Sequence, residues 1–206
     1  MLRCAVFASG GGSNFQSLID HKESGDLHID LALLIGNNST AYAFERARNH
    51  GITALHIPPS RYPDESVYTE YVLSVLRDNK IDIIALAGYM KKIPRPVISA
   101  YANRIVNIHP ALLPSFGGPG LYGEKVHQAV IDYGAKVSGI TIHFVDEEYD
   151  HGPVIFQEAL PVFDSDDAQS LAKRVLALEH ANYWKVLQAI AEGIVTVRNR
   201  RVFGHV

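Results

Sequence analysis

The chain has 206 residues, 47% of them hydrophobic and 20% charged, with a formal net charge of −3. That composition is ordinary for a folded globular protein, allows a sizeable core and favours a single domain spanning 1–206. The slight acidity argues against non-specific nucleic-acid binding, the one cysteine excludes an internal disulfide, and no apolar run reaches the ~18 residues of a membrane span.

The chain enters an apolar strand at Leu2, which leaves no charged region or cleavage site for a signal peptide; a cytoplasmic location is expected. Leu2–Ala8 reads as a buried strand holding Cys4, Ser9–Asn14 (SGGGSN) as a glycine loop, and Phe15–Lys22 as a helix with Phe15, Leu18 and Ile19 at helical spacing. Ile29–Gly36 is the second strand, Ala41–His50 a short helix stopped by Gly51, and Ile52–Ile57 the third strand, ended by Pro58-Pro59. Asp64 can cap a helix over Glu65–Asn79 whose apolar face is Val67, Tyr71, Val72, Val75 and Leu76. Ile81–Ala87 is a strand apolar enough to be covered on both faces, and Pro94 can start a helix over Arg95–Tyr101. Ile105–Ile108 is the fifth strand, so the first half alternates strand and helix in the manner of a parallel sheet.

The second half changes rhythm. Ser115–Gly123 holds four glycines and a proline and reads as a loop, and Val126–Tyr133 as a short helix ended by Gly134. Ser138–Val145 is a strand with Ile140, Ile142 and Phe144 on one face and Thr141 and His143 on the other. Asp146–Gly152 is an acidic loop, and Pro153–Val162 returns as the second strand of a hairpin. Asp166–Gly193 is one long helix, with Leu171, Val175, Leu178, Tyr183, Val186 and Ile190 apolar. In the tail, Ile194–Val206, Arg198-Asn199-Arg200 reads as the turn of a small terminal hairpin.

Three stretches carry chemistry. In Arg104–Pro114 (RIVNIHPALLP), Asn107 and His109 are two apart on a strand that Pro110 ends, so an amide and an imidazole share one face where ligands of open α/β sheets sit. The plain alternative is a strand-end histidine bonded to a carbonyl. The glycine loop presents backbone N–H groups and a helix N-terminus to an anion, with Ser13 and Asn14 as further donors. It lacks the Lys-Ser/Thr of a Walker A motif, has Phe15 where G-x-G-x-x-G needs glycine, and is followed by a second strand ending in Gly36-Asn37-Asn38 without a carboxylate for a ribose. A phosphate monoester therefore fits better than a dinucleotide, and a tight turn without a ligand is the alternative. In Asp146–Pro153, four carboxylates occupy five positions; such runs are usually solvated turns, but Asp150, just before Gly152-Pro153, could orient a histidine or pass a proton. His109, His127, His143 and His151 show no H-x-H or H-E-x-x-H spacing, and no metal is expected.

Together these residues resemble the phosphoribosylglycinamide formyltransferase family, the folate-dependent transformylases of purine synthesis, over essentially the whole chain. The resemblance is carried by Ser9-Gly10-Gly11-Gly12-Ser13-Asn14, Leu86-Ala87-Gly88-Tyr89-Met90, Asn107-Ile108-His109-Pro110-Ala111-Leu112-Leu113-Pro114, His143-Phe144-Val145 with Asp150-His151-Gly152-Pro153, and Glu179-His180. The Asn-x-His-Pro block points to the wider formyltransferase superfamily, and the glycine–Ser–Asn loop narrows it to this branch. The implied fold is α/β: a Rossmann-like, doubly wound, mostly parallel sheet with a C-terminal antiparallel hairpin and a long C-terminal helix. The implied substrates are glycinamide ribonucleotide and, as co-substrate, 10-formyltetrahydrofolate, with no metal, nucleic acid or membrane, and a homodimer is compatible with it. The implied catalytic residues are Asn107, His109 and Asp150. Gly12, Ser13 and Asn14 would hold the substrate phosphate, and Glu179, otherwise a surface ion-pair residue, would accept from ribose hydroxyls. Met90, Lys91, Lys92, Ile93, Asn107, Val145 and Asp150 would border the folate, although Lys91-Lys92 also reads as a solvated pair.

The chain departs from the family pattern in two places. Where many relatives carry an arginine near the start of the third helix, it has Asp64-Glu65-Ser66, with Arg61 the nearest candidate; the loop after Pro114 is also unusually glycine-rich. His127 resembles a family histidine near the site and is left without a role. Methionyl-tRNA formyltransferases add a C-terminal domain and formyltetrahydrofolate hydrolases an N-terminal regulatory one, and a chain of this span is expected to hold neither. The phosphate loop argues against a sugar-nucleotide N-formyltransferase, and a non-catalytic nucleotide-binding module would have no use for the Asn–His–Asp set.

Overall fold

The computed structural model describes residues 1–204. The elements are β1 (Arg3–Ala8), α1 (Ser13–Ser24), β2 (Asp30–Gly36), α2 (Ala43–Asn49), β3 (Thr53–His56), α3 (Glu65–Asp78), β4 (Ile83–Leu86), α4 (Arg95–Ala100) and β5 (Ile105–His109), followed by α5 (Glu124–Tyr133), β6 (Val137–Phe144), β7 (Val154–Pro161), α6 (Ala168–Ala191), β8 (Thr196–Arg198) and β9 (Arg201–Phe203). Strand order is β3-β2-β1-β4-β5-β6-β7, with β8 and β9 forming a separate pair. This is the mostly parallel α/β sheet, C-terminal antiparallel hairpin and long last helix expected from the sequence. The chain divides into two compact units, Met1–Val106 and Asn107–Val206, with the division falling inside β5.

In the first unit β1 pairs in parallel with β2 and β4, and β2 with β3. Val6, Leu33, Leu34, Ile35, Ile83 and Ile84 are buried because their strands are covered on both faces; each such Leu, Ile or Val stabilises the unit by about 1.5–3 kcal/mol at most. Cys4 is fully buried on β1, and burial pushes its thiol up to about 12, so it is a packing residue.

Two sequence expectations shift here. Helix α1 starts at Ser13 rather than Phe15, because Gly12 takes a left-handed conformation (φ 68°) and its carbonyl accepts the first helical bond from Gln16. Asp64 caps α3 as expected, its Oδ1 accepting from the amides of Ser66 (2.9 Å) and Val67 (3.0 Å), worth about 1 kcal/mol. The buried face of α3, however, is Tyr68, Thr69, Val72, Val75 and Leu76, whereas Val67 and Tyr71 are 41% and 44% exposed. Tyr71 packs instead on the ring of Tyr62, 5.4 Å away.

In the second unit β6 and β7 form the expected antiparallel hairpin. Gly139 is required in it: a Cβ there would lie 2.1 Å from the Glu158 carbonyl oxygen. Helix α6 begins after Asp166 because Asp167 is the cap. Its Oδ1 accepts from the Ser170 amide (2.8 Å) while Ser170 Oγ accepts from the Asp167 amide (3.0 Å), and Asp166 turns to Arg174 and the Phe163 amide. The terminal hairpin forms with Asn199 and Arg200 at its turn; His205 and Val206, the end of the expected tail, lie outside the described residues. No helix among the described residues is long and apolar enough to cross a membrane.

Candidate active site

Strand β5 delivers Asn107 and His109 to one face, as the period of two requires. Asn107 is half-buried; His109 is 4% exposed. His109 Nε2 lies 2.9 Å from the carbonyl oxygen of Phe116, so that nitrogen carries the proton and donates it. The other nitrogen, Nδ1, presents its lone pair to Asp150 Oδ2 at 3.7 Å. The second carboxylate oxygen, Oδ1, stands 3.8 Å from His143 Nε2. His143 Nδ1 donates to the Phe144 carbonyl (2.8 Å), which leaves its Nε2 to accept from the Asn107 amide nitrogen at 3.1 Å. The chain Phe144–His143–Asn107 thereby fixes which way the Asn107 amide points and leaves its second N–H for another acceptor.

Burial pushes His109 below its ordinary range, outweighing the Asp150 charge and the Phe116 bond, which both raise it. The resting ring is therefore neutral at pH 7. His143 is lowered by burial too, against the Phe144 bond and the Asp150 charge. Behind them, His127 on α5 is buried, its Nδ1 has no hydrogen-bond partner, and burial together with His109 pushes it down to about 4. The unfolded chain protonates His127 near the ordinary 6.5, so stability is complete above that pH and is lost as pH falls toward 4. The expected loss is about 3 kcal/mol, with His109 and His143 adding in the same direction. Urea midpoints between pH 7.5 and 4.5 should fall less steeply in His127→Leu than in the parent protein; equal slopes would remove His127 from that account.

Asp150 is held by several contacts. Its backbone is left-handed (φ 53°), tolerable for Asp at a small cost, and Oδ2 accepts from the Gly118 amide at 2.9 Å. A Cβ on Gly117 would come within 2.4 Å of Leu113 Cδ2 and 3.2 Å of Asp150 Cβ, so the glycine-rich loop is what lets the carboxylate approach. A Cβ on Gly152 would sit 1.8 Å from the Phe144 carbonyl oxygen. Thr141, fully buried on β6, pins the turn after His109: its Oγ1 donates to Ala111 O (2.7 Å) and accepts from Leu113 N (2.9 Å) and Gln157 Nε2 (2.9 Å).

In the first unit, the glycine loop links β1 to α1. Only Gly12 needs to be glycine for packing: a Cβ there would lie 2.8 Å from Ala43 Cβ, whereas Gly10 and Gly11 have open space around them, room for a ligand to approach the backbone. Arg46 on α2 braces the loop, donating from Nε to Gly11 O (2.8 Å) and from Nη1 to Gln16 Oε1 (2.9 Å). Gly12→Ala should cost about 1–3 kcal/mol through overpacking and left-handed strain and weaken binding of a phosphorylated substrate, read from urea melts and a phosphate-ester titration; unchanged values in both would show that the loop accommodates a side chain. Lys91, Lys92 and Ile93 line a cavity of about 610 Å³ together with Tyr62, Tyr68 and Arg95, and Met90 is exposed beside them, its amide donating to Ser9 Oγ (2.8 Å). Arg61 turns away, toward the His56 carbonyl (3.3 Å), so Arg95 is the arginine of that cavity.

The structure thus brings Asn107, His109 and Asp150 together, places Gly12, Ser13 and Asn14 at the start of α1, and leaves Val145 half-buried at the end of β6. Glu179 is buried on α6 rather than on the surface. Sequence reasoning gave no site role to His143, Thr141 or Arg46; the first two were signalled by the polar face of a buried strand, and Arg46 by nothing local.

A family model described as formyl transferase matches residues 2–187, and the chain belongs to that family. It is 47% identical over 191 residues to the chloroplastic phosphoribosylglycinamide formyltransferase of Arabidopsis thaliana, covering 92% of this chain but only 65%, less than two thirds, of that protein. It is 35% identical to the phosphoribosylglycinamide formyltransferase of Bacillus subtilis over 92% of this chain and 95% of that one. Its structure is similar to the crystal structure of glycinamide ribonucleotide transformylase 1 from Symbiobacterium toebii, with a TM-score of 0.93, 38% identity, and coverage of 99% and 94% of the two chains.

Proposed function

We propose that the chain transfers a formyl group from 10-formyltetrahydrofolate to the primary amine of glycinamide ribonucleotide, a step of purine biosynthesis. The observation that carries the reading is a pair of facing bases, His109 Nδ1 and Asp150 Oδ2, 3.7 Å apart beside an oriented Asn107 amide. A proton arriving between the two bases has two acceptors.

As the amine attacks the formyl carbon, negative charge develops on the formyl oxygen, and the second N–H of Asn107 donates to it. The proton leaving the amine passes to Asp150, directly or through one water, and from there to Nδ1 of His109. Protonated on both nitrogens, His109 becomes the second donor to the oxyanion, and the carboxylate stabilises the imidazolium. The same proton then goes to the folate nitrogen as the bond to the formyl carbon breaks. No metal is required, because hydrogen bonds meet the developing charge.

In this reading the backbone of Gly12, Ser13 and Asn14 holds the phosphate at the N-terminus of α1, and Glu179 accepts from ribose hydroxyls. Met90, Lys91, Lys92, Ile93, Asn107, Val145 and Asp150 border the folate. Residues 1–206 work as one formyltransferase domain, the N-terminal half binding the phosphorylated amine and the C-terminal half contributing to the folate site. The chain acts in the cytoplasm on these small molecules, without nucleic acid or membrane, and a homodimer is compatible with that activity. The names of its relatives support the substrates.

An absorbance assay of folate deformylation, run with and without glycinamide ribonucleotide, tests the reading. Amine-dependent turnover is expected; amine-independent turnover would indicate a hydrolase, and no turnover a binding module.

A further inference from the structure

The family match ends at residue 187, and the hairpin β8–β9 lies beyond it. At its turn, where Asn199 is left-handed (φ 55°), Arg200 projects onto the acidic loop that carries Asp150. The guanidinium reaches both ends of that loop. Nη2 donates to the carbonyl oxygen of His151, the residue after Asp150. Nη1 lies 3.6 Å from Asp146 Oδ2, at the loop's start, and His151 Nδ1 stands 3.0 Å from the same oxygen. One planar cation thus bridges the two ends of the segment. Glu147, Glu148 and Tyr149 between them are exposed, so burial does not hold this stretch in shape; the left-handed Asp150 beyond it is tied at its side chain by the Gly118 amide, and the two ends of the loop are tied by Arg200.

We propose that Arg200 is a positioning residue: the terminal hairpin straps the Asp146–Gly152 loop and holds the Asp150 carboxylate facing His109 and His143. The inference rests on the role given to Asp150 above. The strap uses the two separated nitrogens of a rigid fork, one toward a carbonyl and one toward a carboxylate; a lysine keeps the charge, but its donors radiate from a single nitrogen and reproduce that spacing only in part. Gly152, pressed against the Phe144 carbonyl, fixes the downstream exit of the loop, so the hairpin supplies the constraint on the mouth.

The test uses the full chain with Arg200→Ala and Arg200→Lys. The Gly118 amide reports the position of Asp150 directly, because it donates to Oδ2. In Arg200→Ala its hydrogen exchange should accelerate roughly tenfold, the scale of one half-exposed, charge-assisted contact set. Turnover should fall roughly three- to tenfold, with the amine KM unchanged, since the carboxylate is misplaced while the phosphate loop is untouched. Arg200→Lys should be intermediate in both. Parent-like protection at Gly118 in Arg200→Ala overturns the proposal. So does faster exchange with parent-like turnover, or a loss of protection spread evenly through β6, which would mark a merely structural hairpin. If the parent protein transfers no formyl group, the functional reading fails by itself, and exchange at Gly118 still decides whether Arg200 holds Asp150.

Discussion

His109→Ala is expected to lower kcat for formyl transfer by about 10² to 10⁴, the scale of a lost acid–base and oxyanion group. The size follows from the two tasks assigned to one ring: Nδ1 collects the amine proton opposite Asp150, and the protonated ring then donates to the formyl oxygen. Neither contact exists in the ground state, so KM for either substrate should move little. The variant also strands the Phe116 carbonyl, which accepts from Nε2 at 2.9 Å, at a cost of about 1–3 kcal/mol. His109→Gln separates the two effects, because its amide can still donate to Phe116 yet cannot take a proton. Both variants should lose turnover, while only the alanine variant loses appreciable stability in urea melts. Parent-like kcat in the glutamine variant would remove proton transfer through His109 from the mechanism.

The sheet was legible because the strands beside β1 are apolar on both faces, and such runs separated by glycine and proline have few alternatives. Boundaries were harder where one residue's conformation decides them. Gly12 could be a loop residue or a left-handed cap, and its packing against Ala43 of α2 is a contact that no local sequence rule supplies. The side of α3 that is buried also reflects packing outside the helix, where Tyr62 lies against both Tyr68 and Tyr71. In the site, Asn107 and His109 could be paired from spacing alone, because strand geometry is periodic. Asp150 could not be brought to them by any local rule; its reach depends on Gly117, which admits its Cβ, and on the Gly118 amide, which binds its oxygen. His143 was visible as a polar residue on a buried strand and within the His143-Phe144-Val145 stretch, but neither gave it a role. The resting charge of His109 was not legible either: a neighbouring carboxylate can be read from a motif, whereas the opposing desolvation requires the packed surroundings.

Asp150→Asn is expected to lower kcat by about 10² or more while leaving the fold intact. The amide oxygen can still accept from the Gly118 amide, and the left-handed backbone suits Asn as well as Asp. What disappears is the negative charge, and with it both the first acceptor of the amine proton and the partner of the His109 imidazolium. That charge now raises the His109 pKa against burial; without it the ring titrates lower still. Protonating His109 during the reaction then becomes harder at every pH. If turnover needs His109 neutral at the outset, the acid limb of the kcat profile should move to lower pH in Asp150→Asn, because the ring stays unprotonated further into acid. If the resting ring had to be charged, the alkaline limb would move to lower pH instead. A variant with parent-like kcat and an unmoved profile would show that Asp150 neither takes the proton nor tunes His109, leaving its contact with Gly118 as a structural tie.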